Sequence, residues 1–272
     1  MFQSIELYWL RENGKARRCA EEAARFLEGR GVKVLLPGRA PGSGSPDLML
    51  SFGGDGTLLT AAGMAVQADI PLMGINLGTV GFLTEEEPER LSTVLEKILG
   101  GEYFIERRSL LETLLPERGF SAFSLNDVVV SRGGFARLIR INCTVNGEEY
   151  GLFTADGIIV ATPTGSTGYS LSAGGPIVEP DTDCMIITPI CAHSLQHRSS
   201  VISSRSEIRL QLLKDRPQSG VLQIDGQNRA DLHAGEEIIV RSAAPKVKLL
   251  RIHPYRFFSL IRQKLNEWGT TA

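Results

Sequence analysis

Apolar residues in the first hundred positions fall into short runs separated by stretches with helical spacing. The runs Ile5 to Leu10, Val32 to Leu36, Leu48 to Phe52 and Leu72 to Ile75 predict strands. Between the first two, Ala20, Ala23, Ala24 and Leu27 recur at three- and four-residue intervals, which predicts a helix from about Lys15 to Glu28. A second helix is expected to begin at Thr57. A third is expected at Pro88, where a proline at a helix start costs little, running through Leu91, Leu95 and Ile98 to a stop at Gly100-Gly101. Strands alternating with helices imply parallel pairing with crossovers, an α/β arrangement.

Between Tyr103 and about Leu249 the pattern changes to short runs rich in β-branched and aromatic residues, separated by turn signals. Val201-Ile202, Ile208 to Leu213, Val221 to Ile224 and Glu237 to Arg241 continue that series, and Asn146-Gly147 is a strong hairpin cue. Tyr255 to Trp268 turns helical again, and a lone amphipathic terminal helix must bury its apolar face, so it is expected to pack back on the first domain. The predicted organisation is an α/β domain over 1–102, a mainly β domain over 103–250 and a returning C-terminal segment over 251–272. Pro37 to Pro46 reads as a flexible loop.

With 272 residues, 42% hydrophobic and 22% charged, the chain is globular and long enough for one large or two ordinary domains. A formal net charge of −2 without a Lys/Arg block argues against a nucleic-acid binder. No segment reaches about 18 uninterrupted apolar residues, so no membrane span is expected. The start, Met1 to Glu6, lacks a secretory pattern, and a cytoplasmic location is the expectation. Cys19, Cys143, Cys184 and Cys191 form no C-x-x-C pair and read as small apolar fillers. His193 and His197 stand four apart, but Pro189 and the surrounding serines favour a loop over a metal-binding helix face.

Two segments carry candidate chemistry. Gly53-Gly54-Asp55-Gly56-Thr57 follows the apolar run ending at Phe52 and precedes Leu58-Leu59-Thr60, so it reads as strand, glycine turn and helix start. Such a turn admits close backbone approach, and the free N–H groups and dipole of the helix start favour phosphate. Asp55 would repel that guest unless a cation or a chemical task justifies it, so it reads as a general base or a metal-organising group. Plain loop chemistry is the competing reading of the turn; an ordinary dinucleotide site lacks its G-x-G-x-x-G spacing here. Downstream, Thr162-Pro163-Thr164-Gly165-Ser166-Thr167-Gly168-Tyr169-Ser170 follows the strand-like Asp156 to Ala161 and offers hydroxyls plus one ring for a polar, flat ligand. Asn126-Asp127 precedes the strand-like Val128 to Val130, and Gly74 to Leu83 forms a second glycine-rich strand exit.

These residues resemble the NAD kinases, which phosphorylate the adenosine-ribose 2′-hydroxyl of NAD. The likeness rests on Gly53 to Thr57, the Gly74-Ile75-Asn76-x-Gly78 run with Phe82, Asn126-Asp127, Asp156-Gly157 leading into Thr164 to Tyr169, Ser172-Ala173-Gly174-Gly175-Pro176, and Asp225-Gly226-Gln227. The first motif is shared with diacylglycerol and sphingosine kinases and phosphofructokinases; the second, with Ser172 to Pro176 behind it, is far more specific.

The resemblance implies a three-layer, mostly parallel α/β domain, a β-rich NAD-binding domain and a catalytic cleft between them. It implies Asp55 as the catalytic residue and a nucleotide site drawn from Gly53, Gly54, Asp55, Gly56, Thr57, Phe82, Asn126, Asp127, Arg137, Thr154, Asp156, Thr164, Thr167, Gly168, Tyr169, Ser170, Leu171, Ser172 and Gln227. Asn126 and Asp127 would contact ribose and adenine, and Asp156 the nicotinamide carboxamide. Asp127 stands where the family more often has Glu, Gly168 where many members have Ala, and Thr154 where several have Arg. The implied donor is ATP or polyphosphate with a divalent cation, Mg²⁺, whose ligands the sequence does not name. The implied ligands are NAD, NADP and ATP, in a homodimer or homotetramer. No Walker-type lysine is present. A lipid kinase of the diacylglycerol or sphingosine type and a non-catalytic dinucleotide sensor are the alternatives.

Overall fold

The structure, a computed structural model, describes residues 2–36, 45–78, 81–84, 86–134, 138–194, 197–215 and 218–270, with 267–270 described by backbone alone. Two compact units emerge, Met1–Arg107 with Val247–Ala272, and Arg108–Lys246. In chain order the first carries β1 (Ser4–Trp9), α1 (Gly14–Glu28), β2 (Lys33–Leu35), β3 (Leu48–Gly53), α2 (Asp55–Gln67), β4 (Leu72–Asn76), α3 (Leu91–Gly100) and β5 (Phe104–Arg108). The second carries β6 (Leu111–Leu115), β7 (Phe120–Ser124), β8 (Asp127–Arg132), β9 (Ile139–Val145), β10 (Glu148–Ala155), β11 (Gly157–Ala161) and the short α4 (Tyr169–Ser172). It continues with β12 (Cys184–Ile190), β13 (Ser200–Ser203), β14 (Glu207–Leu212), β15 (Ser219–Ile224), β16 (Gln227–His233) and β17 (Glu237–Ser242). The chain then returns to the first unit as β18 (Val247–Arg251) and α5 (Phe257–Thr270).

In the first unit the strand order is β2-β1-β3-β4-β18-β5, and the pairs from β2 through β18 are parallel. Every position of β3 and β4 is buried, as expected of parallel strands covered on both faces. α1 and α3 close one face through Ala16, Ala20, Ala23, Leu27, Leu91 and Leu95 against Ile5, Leu7, Leu50 and Ile75. Burying one such leucine contributes about 1.5–3 kcal/mol. α2 covers the opposite face: a Cβ on Gly74 of β4 would lie 2.5 Å from Leu58 Cδ1. The layers are therefore helix, sheet, helix. Asn13 caps α1 by accepting from the Ala16 amide at 3.0 Å, and Gly101 ends α3 in the left-handed conformation.

The second unit is a sandwich of two six-stranded sheets, β10-β9-β14-β17-β6-β7 and β13-β12-β11-β8-β15-β16. Alternate residues of both, among them Ile141, Phe153, Leu210 and Val240 from one and Val128, Ile158, Met185 and Leu222 from the other, form the core between them. β8, β11 and β12 also bury their outer face: Val129, Ile159, Ala161 and Ile186 pack under Ala173 and Val178. The segment after Ala161 is thus folded over the sheet by its own apolar residues. Asn146-Gly147 makes the expected hairpin turn with both φ positive, and Asp225-Gly226 makes a second one.

Three expectations shift. The boundaries move from 102/103 and 250/251 to 107/108 and 246/247, because β5 and β18 join the first sheet. α2 begins at Asp55 rather than Thr57, since Gly54 supplies the extended N-cap and places the carboxylate in the first turn. The C-terminal helix starts at Phe257 rather than Tyr255, while its place in the first unit is as expected, with Phe257 and Lys264 buried. Most of the loop from Pro37 to Pro46 lies outside the described residues.

Candidate functional site

At the carboxyl end of β3, Gly53 is backed so closely by α2 that a Cβ there would sit 2.2 Å from Thr57 Oγ1. Gly54, Gly56 and Asp55 then present the first turn of α2, the expected phosphate-facing geometry. The Asp55 side chain folds onto the segment leaving β4. Its Oδ2 accepts from the Phe82 amide at 2.7 Å, while Oδ1 accepts from the Leu83 amide at 3.2 Å, the Thr84 amide at 3.1 Å and the Thr84 hydroxyl at 3.0 Å. Gly81 forms the wall beside it; a Cβ there would lie 2.0 Å from Oδ1. One oxygen is saturated by three donors and the other holds one, so Oδ2 keeps capacity for a further hydrogen.

Residues of the C-terminal segment grip the same stretch from its carbonyl side. Arg251, 3% exposed, donates Nη1 to the Leu83 carbonyl at 2.8 Å and Nε to Glu106 at 2.7 Å. The Tyr255 hydroxyl donates to the Phe82 carbonyl at 3.0 Å. Gly81, Thr84, Tyr255, Arg256 and Gln263 are among the residues around a cavity of about 360 Å³ in this unit.

In the second unit the Thr162 to Ser172 segment is locked to Asn126-Asp127. The Thr162 amide donates to the Asn126 carbonyl at 2.9 Å, and its hydroxyl donates to the Leu125 carbonyl at 2.6 Å and accepts from the Gly165 amide at 3.0 Å. Gly165 has no alternative residue, since a Cβ would fall 2.0 Å from the Asn126 oxygen. Asp225 accepts from the amides of Leu125, Asn126 and Asp127 at 2.8, 2.7 and 3.2 Å, fixing that strand entry from the other side. Burial, and then the nearby Asp225 charge, push the Asp127 carboxyl up to about 7. Burial also raises Asp225, against the pull of its three amide donors.

The sequence-predicted residues divide by orientation. Thr164 and Ser170 turn inward: Thr164 Oγ1 accepts from the fully buried Arg108 at 3.2 Å, and the Ser170 and Thr188 hydroxyls are 2.9 Å apart in the core. Thr167, Gly168, Leu171 and Ser172 reach the surface to differing degrees, and Tyr169 is 46% exposed, which excludes the core-packing role open to an aromatic. A Cβ on Gly168 would stand 3.7 Å from Asn126 Nδ2 and 3.9 Å from Asp127 Oδ2, so Gly168 and the half-buried Asn126 adjoin the buried Asp127 carboxyl. Gln227 follows the Asp225-Gly226 turn and is exposed.

Thr154 and Asp156 are not brought to that spot. Asp127 pairs with Ala161 at one end of β11, whereas Asp156 precedes Gly157 at the other, about 17 Å away by strand rise. There Asp156 forms an ion pair with Arg132 at 3.0 Å. Phe82 is half-buried beside Asp55, and Arg137 lies outside the described residues. His193 and His197 occupy a loop, with His197 against the Phe153 ring at 4.3 Å. Among the described residues no three His, Cys, Asp or Glu side chains gather as a metal site.

Arg108, Asp225, Gly81, Thr84, Arg251 and Tyr255 had no assigned role in the sequence. Two signals point to members of this group: Gly81 lies in the glycine-rich strand exit Gly74 to Leu83, and Asp225-Gly226 is a hairpin dipeptide whose carboxylate can cap.

A phosphate-receptive helix start with a tethered carboxylate in one unit and a hydroxyl-rich loop on the β-sandwich of the other are the features of a nucleotide-dependent phosphotransferase. The family model described as the ATP-NAD kinase N-terminal domain matches residues 40–103, and the ATP-NAD kinase C-terminal domain matches 125–252. A protein of Moorella thermoacetica named NAD kinase is 40% identical over 95% of this chain and 88% of its own length. One of Lachnoclostridium phytofermentans, also named NAD kinase, is 38% identical over 96% and 92%. Among solved structures, yeast NADH kinase complexed with NADH aligns with TM-score 0.83 at 27% identity, covering 91% of this chain and 83% of that one. An Archaeoglobus fulgidus NAD kinase in complex with ATP aligns with TM-score 0.74 at 29% identity, covering 92% and 94%. The chain belongs to the NAD kinase family.

Proposed function

We propose that this chain transfers the terminal phosphoryl group of ATP to the 2′-hydroxyl of the adenosine ribose of NAD, with Asp55 Oδ2 accepting the hydroxyl proton. As the new O–P bond forms, the bond to ADP breaks and the proton passes to the carboxylate. The observation that carries this reading is the asymmetry of Asp55, whose Oδ1 takes three donors and whose Oδ2 takes one. Phosphoryl transfer through a loose transition state needs alignment and charge neutralisation more than a strong base, which suits a carboxylate so held. The amides of Gly54 to Thr57 and the α2 dipole would receive the phosphates.

Asn126, Asp127, Thr167, Gly168, Tyr169, Leu171, Ser172 and Gln227 would form the dinucleotide surface, with Thr164 and Ser170 shaping it from within. Asp156, at the other end of β11 from Asp127, would meet the nicotinamide end of the extended dinucleotide, with Thr154 on the neighbouring β10. Mg²⁺ would arrive with the donor, as Mg-ATP. A homo-oligomer in the cytoplasm remains our expectation; among the described residues no helix is long and apolar enough to cross a membrane.

The test is incubation with Mg-ATP and either NAD or diacylglycerol, with NADP followed by a coupled dehydrogenase. NADP formation that falls by about 10²–10⁴ in Asp55→Asn supports the assignment. NAD binding without product by the wild type favours a sensor, and phosphorylation of the lipid alone favours a lipid kinase.

A further inference from the structure

Each peptide unit joins the carbonyl of one residue to the amide of the next, and two consecutive units after Gly81 are held at both ends. The Tyr255 hydroxyl donates to the Phe82 carbonyl, and the Leu83 amide of that same unit donates to Asp55 Oδ1. The Arg251 guanidinium donates to the Leu83 carbonyl, and the Thr84 amide of that unit donates to the same Oδ1. Hydrogen bonds in series polarise one another, and a cation on the carbonyl end strengthens the N–H at the other. Leu83, Thr84 and Arg251 are 2%, 1% and 3% exposed, so water does not dilute the Arg251 arm, whereas Phe82 and Tyr255 on the other arm are half-buried. Glu106 in turn fixes Arg251 through Nε at 2.7 Å.

We propose that Arg251 and Tyr255 are positioning residues for phosphoryl transfer: acting through two peptide groups, they pin Asp55 Oδ1 and thereby leave Oδ2 as the oxygen that meets the acceptor hydroxyl. This rests on the reading of Asp55 given above. Neither residue is needed for nucleotide affinity on this account, because both act on the orientation of a carboxylate. The C-terminal segment is thus part of the catalytic apparatus, and not merely a packing element of the first unit.

The experiment is a double-mutant cycle in the full-length protein, with Tyr255→Phe, which removes one oxygen, combined with Asp55→Asn. Tyr255→Phe is expected to lower kcat by about 3- to 10-fold, the weight of one ordinary hydrogen bond. KM for NAD should stay within about 2-fold, and the effect should vanish in the Asp55→Asn background, measured as slow residual turnover. Arg251→Lys keeps the charge but not the fork that reaches Glu106 and Leu83 together, and should show the same split between kcat and KM. Unchanged kcat in Tyr255→Phe overturns the proposal, as does an equal loss in both backgrounds accompanied by a lowered Tm. Full activity of Asp55→Asn removes the underlying reading of Asp55 instead, so the two failures are distinguishable.

Discussion

Replacing Gly81 with alanine alters nothing chemical in Asp55 and yet should disable it. The added Cβ would stand 2.0 Å from Oδ1, 2.4 Å from Cγ and 2.6 Å from Oδ2. Relief to ordinary van der Waals separation requires the carboxylate to move by about 1 Å or more, and with it go the bonds from the amides of Phe82, Leu83 and Thr84. A misplacement of that size costs about 10² in rate. The stability loss should be smaller, about 1–3 kcal/mol, because Asp55 is only half-buried and recovers hydration when displaced. Gly78→Ala is the matched control, since a Cβ there meets nothing within 4 Å. The assay is NADP formation at saturating Mg-ATP and NAD, with NAD affinity by calorimetry and Tm by circular dichroism. The expected result is a kcat lower by about 10² in Gly81→Ala, NAD affinity within about 3-fold, and Gly78→Ala indistinguishable from wild type. A Gly81→Ala enzyme with wild-type kcat would refute the claim that this carboxylate must sit where it does.

Gly165→Ala faces a backbone oxygen rather than a movable side chain, so it should destabilise the second unit by about 2–4 kcal/mol and weaken NAD binding, read by urea denaturation and calorimetry. Asp127 gives a pH dependence whose sign is fixed. Its carboxyl is raised from 3.8 to about 7, so the folded chain holds a proton that the unfolded chain releases. Its contribution is least unfavourable below about pH 4, worsens as pH rises through about 7 and is level beyond. Relative to Asp127→Asn, the wild type should therefore lose stability between pH 5 and pH 8, by a figure on the order of 2–4 kcal/mol; a constant difference in urea midpoint across that range would contradict the burial argument.

Much of the architecture was legible because apolar runs at β1, β3 and β4 and the alanine stripe of α1 are local signals that tertiary packing reinforces. β5 and β18 lie across the expected boundaries for the converse reason: five residues carry no mark of which sheet will accept them. In the site, the glycine turn announced Asp55, but its amide partners lie 27 to 29 residues downstream and belong to no regular element. The pattern after Thr162 announces hydroxyls and a ring but not their direction: a turn of 3-10 helix followed by α4 sends Thr164 and Ser170 inward and Tyr169 outward. Arg108 and Arg251 escape patterning, since nothing about an arginine at the end of a short strand foretells that it will be buried.

The first sheet waits on translation. β18 lies between β4 and β5, so a ribosome that has released Phe104–Arg108 has still to make the roughly 140 residues of the second unit before the missing strand exists. At about 5–20 residues per second that interval is roughly 7–28 s. Throughout it the nascent α/β unit has a gap beside Leu72, exposing unpaired backbone to its neighbours, and lacks Arg251, whose guanidinium holds the Leu83 carbonyl. Newly made chains should accordingly acquire activity only after release of the carboxyl terminus, and fragments ending before Val247 should be both inert and prone to associate through that open edge.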